Sequence, residues 1–375
     1  MSTEFTSVDW LGRNIRRVNS THRLPRLGGE LPTGSDPFNS LSQSLPLGAL
    51  AFSHGRAAIT WLVHRNPTMR KTLVCGYTCP TVPEHLRLLG LEVNTFDIGC
   101  SVETLTKLAK QNGGCQLLLL PALFGRDPWL DPQLLSEHLG PETHVMIDAA
   151  QTAFGHIDYT PPRFGSVLSA PRKSCALGGL AWLRMSETMD QDIFSDYHSL
   201  PVEKEIGAGK RLARDYLADG DLDSEQDALK MIMRYEQAWP DNAHRADEID
   251  IEIFSRVDPK THRECRRRNA AQLETLLCAA KAPIHLPDGR AGKGGVPFNF
   301  PVLLPPNIDR STLLKKLHKQ RLFATALWPA AECDPKSSPL CDEYRQRLIA
   351  LPVDQRFKLS QINLIAELFI ECLSS

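Results

Sequence analysis

Lys173 is the residue whose type and surroundings could supply a nucleophile. It lies in the Ser- and Gly-rich segment SVLSAPRKSCALGG (166–179), between two short apolar runs that are typical of buried strands. A partly buried lysine has a lowered pKa and can attack an aldehyde. A surface-loop lysine is the alternative, and its flanking residues alone favour that alternative.

Asp148 ends another apolar run, VMIDA (145–149), and Gln151 follows it three residues later. A carboxylate at the end of a buried strand is costly unless a cation or a strong hydrogen-bond donor pairs with it. The sequence therefore indicates either a ligand-binding acid or an aspartate that caps the next turn, and these residues alone favour the turn cap.

Two further segments could contribute to a site. In SHGRAAITWLV (53–63) a glycine precedes an apolar helix, with Arg56 and Ala57 in its first turn. A helix start exposes N–H groups and favours an anion, so a phosphate is a natural ligand there, although an ordinary helix start fits the same residues. Tyr77 and Cys79 follow the first predicted strand, in a turn from which an aromatic ring could stack on a flat ligand.

Short apolar runs, rich in Val, Leu and Ile, are predicted to form the strands that position these residues. Helical segments of about ten residues separate them, with Thr81 and Glu84 as a capping box and Ser101 and Asp131 as N-caps. This alternation predicts βαβ units and a mostly parallel sheet, with ligands at the carboxyl ends of its strands. The predicted strands are 72–76, 93–98, 116–121, 145–149, 166–169 and 179–184.

The chain divides into three predicted regions. Residues 1–45, rich in Pro, Gly, Ser and Arg, form an irregular N-terminal arm, with a short helix expected around 8–18. Residues 46–285 form a large domain. Residues 286–375 form a small C-terminal α/β domain, with strands at 296–304 and 323–328 and helices at 311–321 and 360–373.

Composition is that of a soluble globular protein, with 375 residues, 42% hydrophobic, 23% charged and a net charge of −1. Such a charge gives no overall attraction to nucleic acid or to an anionic membrane, and the basic run RECRRR (263–268) is predicted to be a solvated helix face. No apolar run approaches the ~20 residues that span a bilayer, and no secretion signal begins the chain, so we expect a cytoplasmic protein. Ten cysteines without a CxxC pair predict no metal site; Cys75 and Cys79 form a lone CxxxC.

Taken in order, these segments resemble the DegT/DnrJ/EryC1/StrS family of aminotransferases, which use pyridoxal 5′-phosphate (PLP). The resemblance covers about residues 50–358. It implies an α/β fold of the fold type I PLP-transferase class, with a mostly parallel sheet between helices and a small C-terminal α/β domain. The segments that carry it are SHGRAAITWLVH, GYTCPTVPEHLRLLGLEVNTFDI, LLLPALFGRDPWLD, VMIDAAQTAFG, SVLSAPRKSCALGG, FNFPVLL and LPVDQRF.

The resemblance also implies a role for each candidate residue toward PLP. Lys173 matches the Schiff-base lysine, Asp148 the acid that pairs with the pyridine nitrogen, and Gln151 the residue beside the ring hydroxyl. The backbone amides of Arg56 and Ala57 match those that bind the phosphate. Ser169 matches the serine that also binds it, with Ser166 as the alternative. Tyr77, in preference to Cys79, matches the residue that stacks on the ring.

The implied activity is transfer of an amino group, often from glutamate in this family, to a keto-sugar or another small keto metabolite, in a homodimer. Two features depart from the family: Gly178 follows Lys173 by only five residues, and the serine-to-lysine spacing is off by about one. We find no polar loop that would lend an asparagine to a neighbouring subunit's phosphate site. Elimination or carbon–carbon bond chemistry on the same fold is therefore an alternative, and a non-catalytic regulatory relative is another. Further loop residues that could face a substrate are Arg126, His156, Trp328 and Arg356.

Overall fold

The N-terminal arm contains short strands. In the computed structural model, β1 (Thr6–Val8) and β2 (Asn14–Arg16) pair antiparallel, so the helix expected around 8–18 is wrong. The next strand, β3 (Leu27–Gly28), pairs with a C-terminal strand described below. The residues that the structure describes are 6–8, 14–16, 27–28, 45–152, 154, 159–187, 206–210, 230–234, 244–285, 295–331 and 338–374.

A seven-stranded sheet forms the centre of the molecule. Its strands are β4 (Ala49–Phe52), β5 (Lys71–Cys75), β6 (Glu92–Phe96), β7 (Leu117–Pro121), β8 (His144–Asp148), β9 (Gly165–Ser169) and β10 (Ala181–Met185). They lie in the order β4-β10-β9-β8-β7-β5-β6. Strands β5 to β9 are mutually parallel, and β10 runs antiparallel to both β9 and β4. The mostly parallel sheet is therefore confirmed, and β4 is a strand that the sequence did not predict.

Helices connect these strands: α1 (Gly55–Arg65), α2 (Thr81–Leu88), α3 (Val102–Lys110) and α4 (Pro132–Leu139). Ser101 caps α3 and Asp131 caps α4 through side-chain oxygens that accept from backbone amides, as predicted. The capping box at Thr81 is wrong, because α2 has Pro80 at its N-cap and no side-chain cap.

The C-terminal part of the chain builds a second core. Its elements are α5 (Glu248–Arg256), α6 (Pro259–Ala279), β11 (Phe300–Leu303), α7 (Arg310–Lys319), β12 (Leu322–Phe323), α8 (Pro339–Arg347), β13 (Leu348–Leu351) and α9 (Leu359–Ser374). β11 pairs antiparallel with β13, and β12 pairs parallel with β3. Leu273 and Leu277 of α6 join Ile362 and Phe369 of α9 in this core. A domain boundary at 285 stays a prediction, and the second half of α6 packs with the elements that follow that boundary.

The basic run 263–268 lies on α6, as expected for a helix, but it is not simply a solvated face. Arg266 is 1% exposed, and its guanidinium donates to backbone carbonyls and to a side-chain amide. Arg267 and Arg268, which are exposed, also donate to backbone carbonyls. A buried guanidinium must satisfy its donors within the protein, so Arg266 has a structural task that the charge pattern alone did not indicate.

Candidate functional site

A cavity of about 790 Å³ opens at the edge of the sheet where β4, β5, β7, β8 and β9 end. Each of these strands is followed by residues that line it, because the carboxyl ends of strands running in one direction meet at one edge. The cavity is lined by His54, Gly55, Arg56, Ile59, Cys79, Thr81, Val82, Glu84, Pro121, Ala122, Leu123, Asp148, Ala150, Gln151, Leu168, Ala170, Arg172, Lys173, Phe298, Leu327 and Trp328.

Lys173 reaches this cavity from a 3-10 turn, Pro171–Lys173, that directly follows β9. The turn is closed by the Pro171 carbonyl, which accepts from the amides of Ser174 and Cys175, each at 2.9 Å. Among the described residues, no group forms an ion pair or a hydrogen bond with the Lys173 ammonium. A half-buried amine that faces a cavity without a protein partner is available to a ligand.

Asp148 ends β8 and lines the same cavity. Its Oδ1 accepts from the amide of Ala150 at 3.1 Å, and no cationic side chain within the described ranges pairs with it. A half-buried carboxylate in this setting is best satisfied by a cationic or strongly donating ligand group. The hypothesis of a simple turn cap explains the bond to Ala150 but not the exposure of the carboxylate to the cavity.

Gln151 is 5% exposed and also lines the cavity. Its Oε1 accepts from the amide of Phe124 at 3.1 Å, which orients the side-chain NH₂ as the group left to donate to a ligand. Phe124 has a φ of 59°, and the next residue is a glycine whose added Cβ would meet the Val296 carbonyl oxygen at 1.9 Å. Only glycine at 125 allows this turn to pack against the segment that carries Phe298, another lining residue.

The start of α1 supplies the positive end of a helix to the cavity, with Gly55 and Arg56 in its wall. The position of Ala57 does not support its predicted phosphate role. Its amide donates at 3.2 Å to Nδ1 of His54, the N-cap residue, and the alanine is fully buried. The first turn therefore places Gly55 and Arg56 in the cavity wall, and the amide of Ala57 donates to His54.

Neither serine of β9 lies in the cavity wall. Side chains alternate along a strand, and Leu168 and Ala170 are the positions in that wall, whereas Ser169 is 1% exposed and lies outside it. The phosphate role expected for Ser169 is thus not supported by its position. Ser166, which is fully buried, is bonded to His144 Nε2 at 2.8 Å, so its position does not support the phosphate role either.

This His144–Ser166 pair gives a test of stability against pH. Burial lowers the pKa of His144 to about 4 from 6.5. The unfolded chain therefore binds the proton more readily, and the free energy of unfolding falls as the pH drops from about 6.5 toward 4. We expect this residue to account for a loss of about 2 kcal/mol between pH 7 and pH 5.

His144→Asn replaces the imidazole with an uncharged amide and so removes the titration. In urea unfolding at pH 7 and pH 5, the variant should lose about 2 kcal/mol less than the wild type. His138→Asn, at an exposed helix position, serves as the control and should keep the wild-type difference. Equal losses in the wild type and His144→Asn would contradict a buried neutral imidazole.

Tyr77 differs from its expected place. Its ring is fully buried behind the cavity wall, where its hydroxyl donates to the Leu327 carbonyl at 2.9 Å and its ring meets the edge of Trp328 at 5.2 Å between centroids. Leu327 and Trp328 line the cavity, and Tyr77 supports them from behind; Cys79, the alternative to Tyr77, lies in the wall itself. A ring-stacking role for Tyr77 is not supported, because hydrogen bonding holds the ring in the core.

The other loop residues named from the sequence have separate positions. Trp328 lines the cavity, as expected for a residue that could face a substrate. Arg126 lines a different, small pocket, and Arg356 pairs with Asp354 at 2.8 Å. His156 lies outside the described residues.

Sequence reasoning missed several residues of the cavity wall, among them Arg172, Glu84 and Phe298. Arg172 immediately precedes Lys173, and that adjacency was the available signal. Phe298 comes from a segment distant in sequence, so no local pattern marks it. Arg56, Arg172 and Lys173 line the cavity together with the acids Glu84 and Asp148, so its basic groups outnumber its carboxylates and it suits a ligand with an anionic group.

No membrane-spanning candidate, judged by length and apolar character, is present among the helices of the described residues. The same residues contain no cluster of three or more His, Cys, Asp or Glu placed to bind a metal ion.

No family model and no curated protein matches the sequence. Solved structures match over most of it. The DegT DnrJ EryC1 StrS aminotransferase from Brucella abortus is 14% identical, with 86% of this chain and 84% of that chain covered and a TM-score of 0.60. S. venezuelae DesV in complex with a ketimine intermediate is 15% identical, with 87% and 85% covered and a TM-score of 0.61. E. coli GDP-4-keto-6-deoxy-D-mannose-3-dehydratase with bound hydrated PLP is 12% identical, with 86% and 87% covered and a TM-score of 0.58. At these identities the likeness concerns the fold, and the chain has the fold of the fold type I PLP-transferases.

Proposed function

We propose that this chain is a PLP-dependent aminotransferase that moves an amino group, with glutamate as the donor, to a keto-sugar or another small keto metabolite. The observation that carries the proposal is the meeting of Lys173, Asp148 and Gln151 in one cavity at the carboxyl edge of the sheet. Asp148 ends β8, Gln151 follows that strand and Lys173 follows β9, and the same edge is where ligands bind in α/β sheets.

The residues fit the cofactor. The Lys173 ammonium and the Asp148 carboxylate face one cavity, and neither has an ion-pair partner among the described residues. Gln151 has a donor group to offer, and the start of α1 brings Arg56 and backbone amides to an anion. An aldehyde, a protonated ring nitrogen, a ring hydroxyl and a phosphate would each meet a group of matching chemistry.

When bound, PLP supplies an electron sink for a substrate carbanion. In our proposal Lys173 holds the cofactor and, once an incoming amine replaces it, moves a proton at the substrate Cα as base and then as acid. Asp148 holds a proton on the ring nitrogen by its charge. Gln151 donates to the ring hydroxyl, and Arg56 with the start of α1 orients the phosphate.

The solved structures of the same fold include proteins named as aminotransferases, which supports this activity. They also include a protein named as a dehydratase. That neighbour, together with the short loop between Lys173 and Gly178, favours a second candidate in which the same residues serve elimination. A homodimer is part of the proposal by resemblance, and sedimentation of the purified chain tests it.

A half-reaction separates these functions. PLP-loaded protein mixed with glutamate should lose its visible absorbance and release 2-oxoglutarate in an amount about equal to the number of sites. Failure with glutamate and with other common amino donors, while the PLP complex is intact, would count against transamination and favour the second candidate. A chain that gains no visible absorbance with PLP would instead support a non-catalytic relative.

A further inference from the structure

Three buried side chains grip the backbone next to Lys173. The carbonyl oxygen of Ser174 accepts from Nε2 of His262 at 3.0 Å, from Nε2 of Gln355 at 3.2 Å and from Nη2 of Arg266 at 3.4 Å. These side chains are between 0% and 9% exposed. We refer to His262, Arg266 and Gln355 as the Ser174 clamp.

The clamp exceeds what the local turn requires. The turn at Lys173 is already closed without it, because the amides of Ser174 and Cys175 donate to the Pro171 carbonyl. A carbonyl oxygen has two lone pairs, so three side-chain donors converging on one oxygen fix its position strongly. The donors also come from distant parts of the chain, α6 and the loop between β13 and α9, so the grip is tertiary rather than local.

Arg266 links the Ser174 clamp to the segment of Phe298, which also lines the cavity. Its Nη1 donates to the carbonyls of Pro297 at 3.3 Å and Phe298 at 2.7 Å, and its Nε donates to Oε1 of Gln355 at 3.0 Å. Phe298 lines the same cavity as Lys173. One planar guanidinium thus holds the lysine turn, the Phe298 segment and the C-terminal loop in a fixed relation.

The far end of the lysine loop is held as well. The carboxylate of Asp250, 1% exposed, accepts from the amides of Gly178 at 2.9 Å and Gly179 at 2.7 Å. Charge-assisted bonds of this kind are stronger than neutral ones. The segment from 174 to 179 is therefore fixed at both ends, and it is this short loop that separates Lys173 from the two glycines.

We propose that the Ser174 clamp positions Lys173 and thereby sets the reactivity of its amine. The Lys173 side chain has no protein partner of its own among the described residues, so its place in a cavity of about 790 Å³ depends on the backbone that carries it. A displacement of about 1 Å at a reacting group can cost on the order of 10²-fold in rate. The proposal rests on the proposed function for its purpose, and its test does not require the cofactor.

Gln355→Glu is the discriminating variant. The carboxylate keeps an acceptor for Arg266 Nε, but it replaces the donor to Ser174 with an oxygen that repels the carbonyl. Gln272→Glu is the matched control, because it makes the same chemical change on α6, at a contact with Asn363 and away from Ser174. Thermal midpoints measured beside each labelling experiment report whether folding is retained.

The readout is the acetylation rate of Lys173 by acetic anhydride against pH, followed by mass spectrometry without cofactor. We expect Gln355→Glu to change the Lys173 rate about fivefold or more and Gln272→Glu to leave it unchanged, with Lys71 at the opposite edge of the sheet constant in both. With PLP, the rate of borohydride trapping at Lys173 should fall about tenfold in Gln355→Glu alone. Folded Gln355→Glu with wild-type labelling and trapping would overturn the proposal.

A second variant and a measurement on the wild type test the proposal even where Gln355→Glu folds poorly. His262→Phe keeps the ring packing on Phe154, at 4.9 Å between centroids, and removes only the donor. It should change the labelling rate of Lys173 as Gln355→Glu does. His262→Gln, which keeps an N–H donor, should show the wild-type rate. In the wild type, the free energy of opening measured by hydrogen exchange at the Cys175 amide should be close to the free energy of global unfolding. Fast exchange at that amide would overturn the proposal. Absence of any PLP adduct in the wild type would refute the proposed function and leave the labelling result valid.

Discussion

Lys173→Ala is expected to abolish the borohydride-stable attachment of PLP and to lower amino transfer from glutamate by about 10³-fold or more. The lysine is proposed both to hold the cofactor and to move the proton at the substrate Cα, and no other lysine lines the cavity within the described residues. The measurement is mass spectrometry after borohydride reduction, together with single-turnover release of 2-oxoglutarate.

Two additions make this result specific. Lys71→Ala, at the opposite end of β5 from the cavity, is the control and should behave as the wild type. Added ethylamine should recover part of the rate of Lys173→Ala, because the truncated side chain leaves room for a small base. A reducible PLP adduct in Lys173→Ala would show that the central assignment is wrong.

Asp148→Asn is expected to lower the rate of the half-reaction by about 10² to 10³-fold while PLP still binds. Asparagine keeps an oxygen to accept from the Ala150 amide, so the turn after β8 should hold its shape. What is lost is the negative charge that would keep the ring nitrogen protonated. Stopped-flow absorbance after mixing with glutamate measures the effect.

Asp131→Asn is the matched control for that variant. It makes the same substitution at the exposed N-cap of α4, where asparagine caps as well as aspartate does, and it should leave the rate unchanged. A rate for Asp148→Asn within about threefold of the wild type would remove Asp148 from the proposed chemistry.

The parts of the fold that could be predicted are those with a local cause. Strands such as β7 and β8 are buried on both faces, so they are continuous apolar runs, and the acid that interrupts such a run at Asp148 is conspicuous. Strand β4 has no comparable signal. It is four residues long and becomes a strand by pairing with β10, which lies far along the chain.

The site residues follow the same division. The position of Ser169 could have been read from the period of two along β9, because Leu168 and Ala170 share the opposite face. The bond from the Ala57 amide to His54 could not be predicted, because histidine is an uncommon N-cap and its role depends on the orientation of its side chain. Tyr77 lies in the core because of an acceptor, the Leu327 carbonyl, that is 250 residues away.

The pairing of β4 with β10 has a consequence for how the site comes into being during folding. Leu50 of β4 lies opposite Leu183 of β10. Roughly 130 residues must therefore be made and arranged before β4, and with it Arg56 at the start of α1, can join the sheet that carries Lys173. Closure over such a distance is slow, and a growing chain would hold the two halves of the cavity apart until late. Any ligand that spans both halves would recognise only the finished protein, and its binding would stabilise the folded chain against proteolysis.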